Sequence, residues 1–125
     1  MTNDSLNGAR VLVVEDEVLI SLMLSDMLEQ LGCVVLGPVA TILEAQPIVD
    51  AGTFDVGVLD VHVDGCEIYD LADRVVAHGI PLVIASGSGS DALPDRFKTA
   101  TLLPKPYGLA ALESALHAAR AKTAA

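Results

Sequence analysis

Three acidic residues in a row, Glu15, Asp16 and Glu17, follow directly on the apolar run RVLVV at 10–14. Another acid, Asp60, closes the run DVGVL at 55–59. The run PLVIA at 81–85 ends at the hydroxyl of Ser86, and TLL at 101–103 leads into Lys105, set between Pro104 and Pro106. Clustered carboxylates repel one another, and a divalent cation relieves the repulsion. Mg2+ suits oxygen ligands and is usually held by one or two carboxylates together with waters and phosphate oxygens. A carboxylate beside such an ion can attack phosphorus and become an aspartyl phosphate. The charge spread over a transferring phosphoryl group is stabilised by positioning and by fixed cations, a task for a lysine and a nearby hydroxyl.

Each residue also has a plainer reading. An acid at a strand-to-helix turn often caps the helix or complements its dipole, and Glu17 is assigned that role. Ser86 could begin a turn, and Lys105 could be a solvated loop residue. Taken together, however, the plain readings need separate coincidences at four strand ends, which favours a shared site.

The elements that must position these residues alternate. RVLVV is continuously apolar, as a strand buried on both faces is. Residues 17–31 change to helical period, with Ile20, Met23, Leu24, Met27, Leu28 and Leu31 on one face and Gly32 as the stop. VVLG at 34–37 reads as a strand. Residues 41–51 read as a helix, with Thr41 as N-cap, Gly52 as stop and Pro47 as an interruption. A strand at 55–59 precedes a helix over 66–78 that ends at Gly79, and a strand at 81–85 precedes SGSGSDALPDRF, a loop with a short helix at most. A brief strand at 101–103 and an Ala- and Leu-rich helix at 107–121, opened by Tyr107, complete the series. Such alternation predicts a parallel sheet with helices on both faces. In open sheets of this kind ligands bind beyond the carboxyl ends of the strands, which is where Glu15, Asp16, Asp60, Ser86 and Lys105 fall. The second strand is followed by GPVA, which offers no reactive group.

The chain has 125 residues, 52% of them apolar and 19% charged, which fits one globular domain with a core of Val, Leu, Ile and Ala. A formal net charge of -10 argues against binding to nucleic acid or anionic membrane, whose phosphates demand Lys and Arg. Cys33 and Cys66 are expected to be reduced thiols, and no His/Cys spacing suggests zinc. His78 and His117 are read as solvated. There is no leader of the secretory kind and no apolar run near the ~20 residues of a membrane span, so a cytoplasmic location is expected.

In their order and spacing, VLVVEDE, VLDVHVDG, IAS and LPKP resemble the receiver domain of bacterial two-component response regulators. The resemblance covers residues 9 to about 120, leaving 1–8 as a flexible leader and 122–125 as a tail. It implies a flavodoxin-like, doubly wound (βα)5 fold whose five-stranded parallel sheet has the order 2-1-3-4-5, the order that general treatments of this fold illustrate with a receiver protein. Carried over by position, Asp60 would be the phosphoacceptor. Glu15, Asp16 and Asp60 would hold Mg2+ with the backbone carbonyl of His62. Ser86 would be the switch hydroxyl and Lys105 the phosphoryl-binding cation, with a cis bond before Pro106. A histidine kinase or histidine phosphotransfer protein would be the donor in a phosphorelay. Output would pass to a partner protein, with self-pairing through the fourth helix, fifth strand and fifth helix as a further option, and with no enzymatic activity beyond self-catalysed phosphotransfer and dephosphorylation. IASGSG also resembles a group of stand-alone alphaproteobacterial regulators.

The chain departs from the common pattern in several places. The acidic pair is Glu–Asp rather than Asp–Asp. VHVDG lacks a proline after Asp60. Leu102 stands where many receivers carry a rotating aromatic, and Gly87 follows Ser86. His62 either tunes attack by water on an acyl phosphate or is a surface residue without a role. SGSGS either cradles phosphate through its amides or is a mobile loop. An Mg2+-dependent phosphatase with Asp60 as nucleophile is the alternative function, although the second acid of the best-known such family is replaced by His62. A flavin module of the same fold would need more aromatic residues than two Phe and two Tyr.

Overall fold

A computed structural model describes residues 6–87 and 93–124, with side chains as far as residue 122. Its main sheet is built from β1 (Arg10–Val14), β2 (Val34–Val39), β3 (Val56–Asp60), β6 (Leu82–Ser86) and β7 (Thr101–Pro104). The order is β2-β1-β3-β6-β7 and every pairing is parallel. Counted over the sheet strands alone, this is the expected order 2-1-3-4-5. The helices are α1 (Val18–Gln30), α2 (Ile42–Ala51), α3 (Tyr69–Ala77) and α4 (Leu109–Ala124). Between β6 and β7 the described residues contain only a 3-10 turn, Asp95–Phe97. The loop-with-short-helix reading of 86–97 therefore falls partly outside the described residues, as do the last three residues of SGSGS.

Side-chain alternation along the strands divides the apolar residues into two layers. Leu12, Leu59 and Ile84 face one side and pack with Ala45 and Val49 of α2 and Leu71 and Val75 of α3. Val11, Val13, Val58 and Val83 face the other and pack with Leu24 and Leu28 of α1 and Leu112 and Leu116 of α4. The central strand β3 is thus covered on both faces, which leaves its C-terminal end as the exit for a polar side chain.

Thr41 caps α2 as expected, its hydroxyl accepting from the Glu44 N–H at 3.1 Å. Gly52 ends that helix in the left-handed region at φ +64, and Pro47 is accommodated inside it. Four expectations are corrected. β2 runs two residues beyond VVLG, through a Gly37–Pro38 bond that is cis, like Lys105–Pro106. Met23 is exposed rather than core-facing, because α1 buries Ser21, Leu24 and Leu28, a narrower stripe than the six apolar positions suggest. Residues 66–68 are not helical. Cys66–Glu67 (β5) pairs antiparallel with His62–Val63 (β4), and α3 starts only at Tyr69. The turn between them, Asp64–Gly65, has φ of +53 and +77, the conformation for which Asp-Gly hairpins are favoured. Residues 6–8, placed in the leader on sequence grounds, are packed. Leu6 is fully buried, its carbonyl accepts from the Cys33 thiol at 3.5 Å, and the Gly8 N–H donates to the Gly32 carbonyl at 2.7 Å.

Candidate functional site

The parallel register brings the polar residues together. Val14 pairs with Leu59, and Asp60 with Ala85, so β1, β3 and β6 end at one level. β7 joins them through the Lys105 N–H, which donates to the Ser86 carbonyl at 3.0 Å. Glu15, Asp16 and Asp60 present carboxylate oxygens that lie within 4.8 Å of one another. The Lys105 Nζ donates to Asp60 Oδ2 at 3.0 Å and to Glu15 Oε1 at 3.3 Å. Asp60 Oδ1 accepts from the Val61 N–H at 2.9 Å, and Glu15 Oε2 from the Glu17 N–H at 3.1 Å. Glu17 occupies the N-cap position of α1, but its side chain makes no capping bond.

A cleft of about 370 Å3 opens beside the cluster, lined by Asp16, Asp60, His62, Tyr69, Ser86 and Gly87 among others. Ser86 is buried at the end of β6. Asp16 is exposed, and its Oδ2 accepts from the Asp64 N–H at 2.8 Å, so the hairpin turn anchors it. Sequence reasoning missed both this anchor and Tyr69. An Asp-Gly pair between apolar residues is the signal that identifies the turn. The structure gathers Glu15, Asp16, Asp60 and Lys105 directly. It sets Ser86 and His62 on the same cleft.

The charges interact through a partly buried environment. Glu15 is only 4% exposed. Burial, with the Asp60 charge adding to it, pushes its carboxyl up from 4.5 to about 6, against the Glu17 N–H and Lys105, which act to lower it. Burial pulls the Lys105 ammonium down, but its bonds and charge attraction to Asp60 and Glu15 outweigh that, and the net shift is upward. Since the folded value of Glu15 lies above the unfolded one, the protonated form favours the fold. That contribution is fully present below about pH 4.5 and is lost as pH rises through about 6. Ionised Glu15 therefore costs on the order of 2 kcal/mol at pH 8 without metal. Glu15→Gln imitates the protonated carboxyl. Urea titrations in a chelator are expected to show the variant more stable than wild type by about that amount at pH 8, with the two converging toward pH 4.5.

The donor set fits a hard divalent cation: oxygen ligands on converging carboxylates, with two of the three side chains on one edge of an open cleft. Among the described residues Lys105 is the side-chain cation that pairs with these acids, and it reaches Glu15 and Asp60.

No family model and no curated protein matches the sequence. Solved structures do. The solution structure of SdrG from Sphingomonas melonis Fr1 is 35% identical with a TM-score of 0.79, over 91% of this chain and 97% of that one. SdrG from Pseudomonas melonis Fr1, in its BeF3-activated conformation, is 36% identical with a TM-score of 0.72, over 89% and 95%. The receiver domain of the sensor histidine kinase PA1611 from Pseudomonas aeruginosa PAO1, solved with a magnesium ion coordinated in its active-site cleft, is 21% identical with a TM-score of 0.76, over 91% and 98%, and shares the fold. A parallel sheet of order β2-β1-β3-β6-β7 with acids at its carboxyl rim, together with SdrG's identity across nine-tenths of the chain, defines the class. The chain belongs to the receiver domains of response regulators, the proteins of two-component signalling. Within that class it is similar to SdrG.

Proposed function

We propose that this receiver domain is a phosphorylation switch in which Asp60 accepts a phosphoryl group from a phosphohistidine donor. The observation that carries the reading is the Lys105 ammonium bonded to Asp60 at 3.0 Å and to Glu15 at 3.3 Å, at the tip of the central strand. Asp60 Oδ2 is the attacking atom. It forms a bond to phosphorus as the phosphorus–nitrogen bond of the donor breaks. Lys105 then exchanges part of its carboxylate contact for a phosphoryl oxygen, and the Ser86 hydroxyl donates to another. Glu15, Asp16 and Asp60, with the His62 backbone carbonyl, would hold Mg2+, and the magnesium in the PA1611 receiver supports that assignment. When bound, the ion supplies neutralisation of the phosphoryl charge. The charge added at Asp60 biases two pre-existing arrangements of the fold, and the favoured one is read by a partner protein.

A docking face for the donor adjoins the site. Val18, Leu19, Leu22 and Met23 of α1 are exposed and apolar. Met23 also lines a groove of about 320 Å3, together with Ile20, Met27, Lys105, Pro106 and Tyr107. A helical phosphodonor would pack its apolar face there, beside Lys105. Among the described residues no helix is long and apolar enough to cross a membrane.

The test is intact mass after incubation with Mg2+ and acetyl phosphate. One phosphoryl adduct on wild type, absent from Asp60→Ala and after chelation, is expected. Continuous turnover of phosphate esters without a retained adduct would favour a phosphatase and contradict the switch.

A further inference from the structure

We infer that Tyr69 is the aromatic residue that couples the phosphoacceptor cleft to the rest of the fold, acting through a stack on Phe97. The inference rests on the switch reading above. A charge placed on Asp60 needs a mechanical route to a surface that a partner can read. β7 supplies no ring for it: Leu102, paired with Ile84 and partly buried, is aliphatic. Of the four aromatic residues, Phe54 is buried in the core, and Tyr107 borders the α1 groove on the opposite face of the sheet. Tyr69 alone among them lines the cleft that holds Asp60 and Ser86.

Its position is set by the hairpin. Because β4 and β5 occupy residues 62–67, α3 begins at Tyr69 and its first residue is carried to the cleft. The ring then stacks on Phe97, with centroids 5.8 Å apart and planes 23° apart, a geometry in which aromatic pairs attract beyond their area burial. Phe97 is 4% exposed, so it cannot move without its neighbours. Next to it, the Arg96 guanidinium lies 4.9 Å over the Phe97 ring and forks onto Asp73 of α3 at 2.9 and 3.0 Å. A continuous line of contacts thus runs from the cleft, through two rings and an ion pair, to the exposed surface of α3 and the 3-10 turn. Burial and the nearby Glu67 carboxylate hold the Tyr69 phenol in its neutral form. A phosphoryl group entering the cleft adds charge and volume to a space that this ring helps to line. The ring then shifts against Phe97, through the stack and not through its hydroxyl.

The experiment uses amide NMR shifts of the full chain on adding Mg2+ and beryllium fluoride, with acetyl phosphate labelling measured in parallel. In wild type the amides of residues 96–100 are expected to respond. In Phe97→Leu, which breaks the stack without touching the cleft, that response is expected to be lost while Asp60 still acquires its adduct. Tyr69→Leu is expected to lose it as well, and Tyr69→Phe, which keeps the ring, to retain it. A wild-type response at 96–100 in a folded Phe97→Leu or Tyr69→Leu protein overturns the coupling. Absence of any adduct on wild type would instead overturn the switch reading, so the two failures are separable.

Discussion

Lys105→Ala is expected to unfold at lower urea concentration than wild type, and the deficit is expected to grow with pH. The ammonium joins Asp60 and Glu15, whose side chains are 12% and 3% exposed. Removing it leaves two close carboxylates without a cation. Stripping one partner from a fully buried pair costs roughly 3–5 kcal/mol, and a loss nearer 2 kcal/mol is expected because Lys105 keeps some solvent contact. Lys105 remains charged throughout the neutral range, since its own shift is upward. The pH dependence therefore comes from Glu15. The Glu15 carboxyl is already raised to about 6 in wild type, and losing Lys105 removes an influence that lowers it, so in the variant a proton on Glu15 relieves the repulsion as pH falls toward that value. Denaturation at pH 8 and pH 5 measures the difference, and equal deficits at both would contradict the assigned electrostatics. Under the proposed switch the same substitution removes the cation that would face the phosphoryl oxygens, so adduct formation from acetyl phosphate is expected to slow as well.

A second large effect is expected one residue before Asp60. Leu59 is 0% exposed and packs in the layer between the sheet and α2 and α3. Leu59→Ala removes its apolar surface and leaves a cavity bounded by Leu12, Ile84 and Val75, which belong to the same layer. Such changes cost roughly 2–5 kcal/mol, a large part of the ~5–15 kcal/mol that a domain of this size holds. Thermal and urea unfolding check this. A loss below about 1 kcal/mol would mean that this layer collapses around the gap more easily than close packing allows.

The residues that meet at the cleft were largely legible because one rule connects sequence to place. In a doubly wound sheet, the residues just beyond the C-terminal ends of the parallel strands share one rim. Glu15, Asp16, Asp60, Ser86 and Lys105 each come at or just after a strand that could be read from continuous Val, Leu and Ile. The hairpin was not legible in the same way. Ile68, Leu71, Ala72 and Val75 carry helical spacing, and extending that pattern back to Cys66 hides a two-residue strand. The left-handed Asp64–Gly65 turn, marked by its Asp-Gly pair, outweighs the pattern. Met23 illustrates a different limit. Its spacing matches the apolar face of α1, but the helix presses only the stripe Ser21, Leu24 and Leu28 into the core, and Met23 falls on the flank of that stripe. Leu6 lies in a polar stretch and is buried only because the chain returns beside Gly32 and Cys33, a long-range contact that local pattern does not encode.

The most direct test of the central claim is to locate the phosphoryl group. Protein treated with Mg2+ and acetyl phosphate is reduced with borohydride, which converts an aspartyl phosphate to homoserine, and is then digested and sequenced by mass spectrometry. Homoserine is expected at position 60 and nowhere else, and none when the metal is chelated. Reduction at Asp16 or another acid, with Asp60 unmodified, would contradict that claim.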